Sequence, residues 1–343
     1  MLSERQMLIL QVLIDDFIET AQPVGSRKLS QKGNISYSPA TIRNVMADLE
    51  EMGYIEKTHS SSGRVPSEMG YRYYVDNFIP FPQKDSGLHV IEQVMEEGFV
   101  EFEQIVQKSA EVLSDITNYT TIILGPEIFE TTLKQLQIVT LSAHTAVIIL
   151  VTNTGHVEHR SFSIPAHISP SDLEKMVNIL NSRLYGVPLV KLPQKLNSEL
   201  VSMIRDYVDD FETTYQYLQS AIAGDFPLKL YIGGKTNILT QPEFNNVEKI
   251  RTFYAMMENE AEIAQLFKGA TNGIKVRIGQ ENKMDAVKDL SVITSSYQLG
   301  DDNTGIIGLL GPTRMEYRKV ITLLHAFSNE MSDALYVWFK HNE

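Results

Sequence analysis

Residues 38–67, SPATIRNVMADLEEMGYIEKTHSSSGRVPS, constrain the chain most, because they spell both ends of a helix and then a hairpin. Ser38 is a good N-cap, Pro39 suits the first turn, where its missing N–H costs nothing, and Gly53 is placed to end the helix in the left-handed conformation. Ile42, Val45, Met46, Leu49 and Met52 fall on one helical face and are expected to pack on a core. Thr41, Arg43, Asn44, Ala47 and Asp48 are left outward. The outward face is polarised. Thr41, Arg43 and Asn44 sit where free N–H groups and the positive dipole end favour phosphate, whereas Asp48, Glu50 and Glu51 crowd the second half. Residues 54–59 then read as a strand, 60–63 as a turn, and Arg64 and Val65 as the return, which makes a small hairpin with a polar tip. A DNA-reading helix followed by a wing is the expectation.

The preceding residues agree. Ser3 and Gln6 form a capping-box pattern, and Met7, Leu10, Leu13, Ile14 and Phe17 give a helical stripe that ends near Thr20. A connector over 22–25 leads to Ser26, read as the cap of a short second helix, RKLSQK, with Leu29 inward. Three helices followed by a hairpin is the winged helix-turn-helix order. Ser67 caps a further helix whose Tyr71, Tyr74, Val75 and Phe78 are expected to be packing residues rather than base-stacking ones. The two prolines and the glycine of IPFPQKDSG then close this domain.

Charge sharpens the expectation. The chain carries 30 Lys and Arg against 43 Asp and Glu, a net charge of −13, which argues against a non-specific nucleic-acid coat. Yet residues 21–47 contain Arg27, Lys28, Lys32 and Arg43 and no acid, a confined basic surface that suits a specific binder; the alternative is ordinary charge fluctuation. Arg43 could read guanine O6 and N7, and Asn44 adenine N6 and N7. Ser26, Arg27, Lys28, Ser38 and Thr41 are assigned to phosphates. Lys57, Ser60, Ser61, Ser62 and Arg64 are assigned to the wing, against the flank or in a minor groove.

Beyond the linker, 85–116 reads as a long amphipathic helix loosened at Gly98. Strands are expected at 120–124, 135–141, 146–152 and 157–164 as an antiparallel meander, and again at 228–232, 274–278, 291–297 and 306–310 before a last helix over 315–339. One sheet of an α+β domain, interrupted by something helical, is the economical reading. Within the interruption, Ser171 caps a helix bearing Leu173, Met176, Val177, Leu180 and Leu184. Val201, Ile204, Val208, Phe211, Tyr215, Leu218 and Ile222 then recur at alternating spacings of three and four, a heptad seam. Such a seam seeks a partner helix, from the insert itself or from a second copy of the chain. The second copy is favoured because a two-helix insert has little else to bury against; the alternative is a helix lying on the sheet of its own domain. The expected division is 1–79 for the winged domain, 80–87 for the linker, 88–165 and 227–343 for the α+β domain, and 166–226 for a dimerising insert.

Other classes find little support. The chain has no cysteine, no charged-apolar-small order at its start and no apolar run near the ~20 residues of a membrane span, so a soluble, cytoplasmic protein is expected. Gly233, Gly234, Lys235 and Thr236 resemble the end of a phosphate-binding loop, but Lys229 stands where its first glycine belongs. His156 and His159 fall on opposite faces of a strand, and Gly305, Gly308 and Gly311 space a strand rather than a strand-to-helix turn. Neither an enzyme nor a metal or cofactor site is expected.

RQMLILQVLIDDFIETAQPVGSRKLSQK and the continuation SPATIRNVMADLEEMGYIEKTHSSSGRVPSEMGYRYYVD closely resemble the bacterial heat-inducible transcription repressor HrcA family. GIKVRIGQEN, LSVITSSY and GIIGLLGPTRMEY resemble that family's C-terminal part, so the likeness spans nearly the whole chain. The resemblance implies a winged-helix domain, a GAF-like domain and an inserted dimerising domain. It further implies repression of chaperone operons by a homodimer on an inverted-repeat operator in double-stranded DNA, supported by the chaperonin GroEL and released when heat withdraws that support. The rival from another class is a winged-helix regulator whose GAF-like domain senses a small-molecule ligand.

Overall fold

The computed structural model describes residues 2–58, 63–80, 91, 94, 102–125, 132–142, 144–153, 157–164, 170–189, 192–196, 230–267, 273–299 and 303–342. Helix α1 (Glu4–Thr20) opens on a reciprocal capping box, in which Gln6 N–H donates to Ser3 Oγ and Ser3 N–H donates to Gln6 Oε1 at 2.9 Å. Helix α2 (Ser26–Leu29) is one turn long. Its N-cap is Gly25, so Ser26 is a helical residue and not the expected cap. Helix α3 (Pro39–Glu51) begins as expected, with Thr41 N–H donating to Ser38 Oγ at 3.2 Å, and Gly53 follows its end at φ +82°. Ile42, Val45, Met46 and Leu49 are buried, but Met52 is 41% exposed, because it is the C-cap and the chain has already left the packed face.

Strands β1 (Ile55–Lys57) and β2 (Arg64–Pro66) pair antiparallel over three residue pairs. Val24 adds a third, single-bridge strand, its N–H donating to Arg64 O at 2.8 Å and its carbonyl accepting from Arg64 N–H at 2.9 Å. Gly63 lies so close to Pro23 that a Cβ would fall 2.8 Å from the Pro23 Cβ. The α1–α2 connector therefore clamps the root of the ribbon. Helix α4 (Glu68–Phe78) follows, capped by Ser67, whose hydroxyl also donates to Gly53 O at 2.6 Å and so ties the end of α3 to the start of α4.

Helix α5 (Phe102–Thr117) leads to β3 (Thr120–Leu124). Three strands follow, β4 (Leu133–Ser142), β5 (Thr145–Thr152) and β6 (Val157–Ser163), then α6 (Pro170–Leu184) and a single turn, α7 (Leu192–Lys195). The chain resumes with β7 (Leu230–Gly233), α8 (Val247–Met257), α9 (Glu260–Phe267), β8 (Lys275–Ile278), β9 (Leu290–Leu299), β10 (Asn303–Pro312) and α10 (Tyr317–Asn342).

The expectation of one interrupted sheet is corrected by the pairing. Strands β7-β3-β10-β9-β8 form a five-stranded antiparallel sheet, whereas β4-β5-β6 form a separate three-stranded one. The physical reason is a second core. Leu136, Ile148 and Leu150 face Leu173, Met176, Leu180 and Leu184 of α6, and Asn181 bridges the two by accepting Leu136 N–H at 2.7 Å and donating to Leu136 O at 2.8 Å. Those strands thus belong with the interruption, which begins before the expected 166. The seam at 201–222 and the ribbon tip at 60–62 lie outside the described residues.

Both faces of the larger sheet are covered. Ile123, Ile293 and Leu309 join the core shared with α5, α10 and the N-terminal helices. Their neighbours Ile122, Val292 and Leu310 point the other way, into a core with Phe253 of α8 and Phe267 of α9. Helices α8 and α9 were not anticipated.

Candidate nucleic-acid interface

The packed face of α3 decides what its other face can do. With Ile42 and Leu49 wholly buried, Arg43, Asn44, Ala47 and Asp48 are exposed, and neither Arg43 nor Asn44 has a hydrogen-bond or ion-pair partner among the described residues. Ser38 is exposed and Thr41 half-buried, and their hydroxyls lie 3.0 Å apart at the N-terminus of α3. Arg27 on α2 and Lys57 on β1 are exposed. Ser26 is half-buried. Ser60, Ser61 and Ser62 fall outside the described residues.

Two lysines of the basic window, Lys28, which was assigned to phosphate, and Lys32, which was not, are already engaged by one carboxylate. Lys28 pairs with Asp16 Oδ2, and Lys32 Nζ lies 2.7 Å from Asp16 Oδ1. Asp16 is a buried acid on α1, with only 1% of its side chain exposed. Burial pushes its carboxyl upward, but hydrogen bonds and charge from Lys28 and Lys32 outweigh that and hold it below its ordinary value. The acid-free window at 21–47 is therefore not acid-free in space. Similarly, Arg64 is half-buried, its Nε and Nη2 each 2.7 Å from Glu50 Oε2. That pair locks the base of the ribbon onto the second half of α3. Sequence reading missed both acids' roles: Asp16 is one polar residue inside an otherwise apolar stripe, and only this misfit could have flagged it.

Helix α4 carries the unit against the larger sheet. Arg72 pairs with Glu281 and donates to Val276 O at 2.7 Å, Gln280 N–H donates to Glu68 Oε2 at 3.0 Å, and Arg318 donates to Phe78 O at 3.0 Å. GYRYYVD and RIGQEN, far apart in sequence, thus meet across one junction. Tyr74 donates to Asp15 Oδ1 at 2.5 Å, so α4 is fastened to α1 as well.

Comparison with known proteins gives this surface its setting. Residues 103–321 match the family model described as the HrcA protein C-terminal domain. The heat-inducible transcription repressor HrcA of Oceanobacillus iheyensis is 59% identical over 341 residues, covering 99% of both chains. The chain belongs to the HrcA family of heat-inducible transcription repressors. A solved structure described as a hypothetical protein at 2.2 Å resolution shares 21% identity and a TM-score of 0.66 over 98% of this chain and 99% of its own, a likeness of fold alone. Among the described residues no helix is long and apolar enough to cross a membrane.

Proposed function

We propose that this repressor reads DNA with a winged helix-turn-helix formed by residues 1–79, placing the N-terminal half of α3 in the major groove. The observation that carries this reading is the exposure of Arg43 and Asn44 on a helix whose opposite face is buried and whose acidic second half is partly neutralised by Arg64. Arg43 and Asn44 contact base edges. Ser38, Thr41, Arg27 and Lys57 hold phosphates, and Ser26 stands behind them. Lys28 and Arg64 act in the first instance as positioning residues, through Asp16 and Glu50. Ser60, Ser61 and Ser62, outside the described residues, keep their assignment to the flanking DNA backbone from the sequence alone.

The five-stranded sheet with α5 and α10 is the GAF-like domain of this reading, and the second core around α6 is the inserted domain, continued by the seam at 201–222. That seam pairs two copies of the chain. A twofold dimer then matches an inverted-repeat operator in front of chaperone genes. The chaperonin GroEL keeps the dimer competent, and heat, by occupying the chaperonin, releases the operator. Family likeness is what supports the last two statements.

Footprinting of the purified chain on an inverted-repeat chaperone promoter, with and without GroEL, tests target and regulation together. Absence of a footprint at low salt in both arms refutes DNA recognition, and a footprint indifferent to GroEL refutes the chaperonin link. Arg43→Ala should weaken specific binding by ~1 to 3 kcal/mol while barely changing binding to scrambled DNA. Equal losses on both would demote Arg43 to a phosphate contact.

A further inference from the structure

Eight Lys and Arg side chains lie within residues 2–80, and half of them are held by carboxylates. Lys28 and Lys32 pair with Asp16, Arg64 with Glu50, and Arg72 with Asp76 and Glu281. Arg5, Arg27, Arg43 and Lys57 are exposed and have no ion-pair partner among the described residues. Three of these already have a place in the DNA reading. Arg5, on the first turn of α1, has none.

The contact Arg5 does make is aromatic. Its guanidinium carbon lies over the ring of Tyr37, 5.0 Å from the centroid. Tyr37 immediately precedes Ser38, the N-cap of α3, and is half-buried against the core of the N-terminal unit. A charge rooted in one helix is thereby held beside the start of another. A ring face attracts the cation but supplies no oxygen, so the N–H donors of Arg5 have no carboxylate or carbonyl partner among the described residues. Glu4 is its immediate neighbour in α1 and is exposed. Asp15, Asp16 and Glu19 sit near the other end of α1, about 15 Å or more along the axis. Asp48, Glu50 and Glu51 are as far from Tyr37 along α3.

We propose that Arg5 is a further contact to the DNA backbone, its guanidinium bound to a phosphate next to the one approached by Ser38 and Thr41, with Tyr37 positioning it. The proposal deepens the major-groove reading of α3 and rests on it. Guanidinium suits a phosphate because two parallel N–H groups can donate to it at once. Packing on Tyr37 restrains the long side chain beforehand, which lowers the entropy lost on binding. As a backbone contact, Arg5 adds affinity without choosing a base.

The test is fluorescence anisotropy of the full-length protein over a range of salt, on an inverted-repeat chaperone promoter and on a scrambled duplex. Arg5→Gln should weaken binding to both by about tenfold per bound copy at low salt. It should also flatten the dependence of log affinity on log salt by about 0.9 for each copy. Arg5→Lys should keep the slope but lose part of the affinity, because lysine has the charge without the fork. Tyr37→Leu should weaken both complexes several-fold and Tyr37→Phe should not, since the ring holds the cation. Overturning results are an unchanged slope in Arg5→Gln with only a lowered thermal midpoint, a loss confined to the promoter, or wild-type binding by Tyr37→Leu. Failure of the wild type to bind either duplex removes the reading of α3 and this inference with it, whereas wild-type binding with an unaltered slope in Arg5→Gln removes this inference alone.

Discussion

Replacing Asp16 with Asn should loosen the first two helices and, at the same time, make the protein less choosy about DNA. The carboxylate is 1% exposed, whereas the side chains of Lys28 and Lys32 are 42% and 38% exposed. Removing one partner of a fully buried pair costs ~3 to 5 kcal/mol. Here both lysines can turn to water, so the loss should lie nearer the ~1 to 3 kcal/mol of charge-assisted hydrogen bonds. Hydrogen exchange followed by mass spectrometry reads this locally, and amides of α1 and α2 should exchange roughly 5- to 150-fold faster. The pH dependence has a definite sign. The folded carboxyl sits below its ordinary value of 3.8, so its contribution is complete above that pH and is lost as pH falls through the lower, folded value. Wild type and variant should therefore converge in acid. On DNA, each freed ammonium that finds a phosphate steepens the dependence of log affinity on log salt by ~0.9. Asp16→Asn should then bind scrambled duplex more tightly at low salt. Unchanged exchange in α2 at neutral pH, together with an unchanged salt slope, would refute the reasoning.

Three other outcomes follow from the packing. Gly70→Ala should destabilise the N-terminal unit by several kcal/mol in urea titrations, because the new Cβ would stand 2.1 Å from Tyr54 O, a backbone atom that cannot give way. Arg72→Lys should loosen the junction almost as much as Arg72→Ala, since Lys cannot serve Glu281 and Val276 O at once; a double-mutant cycle with Glu281→Gln should show coupling of ~1 to 3 kcal/mol. Leu180→Ala should cost ~2 to 5 kcal/mol in the second core and leave exchange in the five-stranded sheet unaltered, which checks that the two cores melt separately.

Local grammar carried much of this protein into view. Caps and breakers such as Ser3, Ser38, Gly53 and Ser67 act within three or four residues, so the limits of α1, α3 and α4 could be read directly. Strands β3, β9 and β10 were legible as short apolar runs between turn residues. Which of them pair was not, because the runs at 120–124 and 146–152 look alike in one dimension and go to different sheets. Helices α8 and α9 were overlooked, since their buried positions, such as Phe253, Met256 and Met257, are spread among charges and short 3-10 turns.

The candidate DNA surface divides in the same way. Exposure of Arg43 and Asn44 follows from helical periodicity once Ile42, Val45 and Leu49 must be buried, and that periodicity is a property of the chain alone. Which basic groups remain available depends on charges brought from elsewhere: Asp16 reaches Lys28 from α1, and Glu50 reaches Arg64 across the turn into the ribbon. Nor could spacing reveal that GYRYYVD and RIGQEN close one junction. Hydrogen bonds and apolar burial within a helix act over a few residues, whereas charge acts through space, so the sequence alone delimits the reading helix and only the tertiary structure decides its electrostatic surroundings.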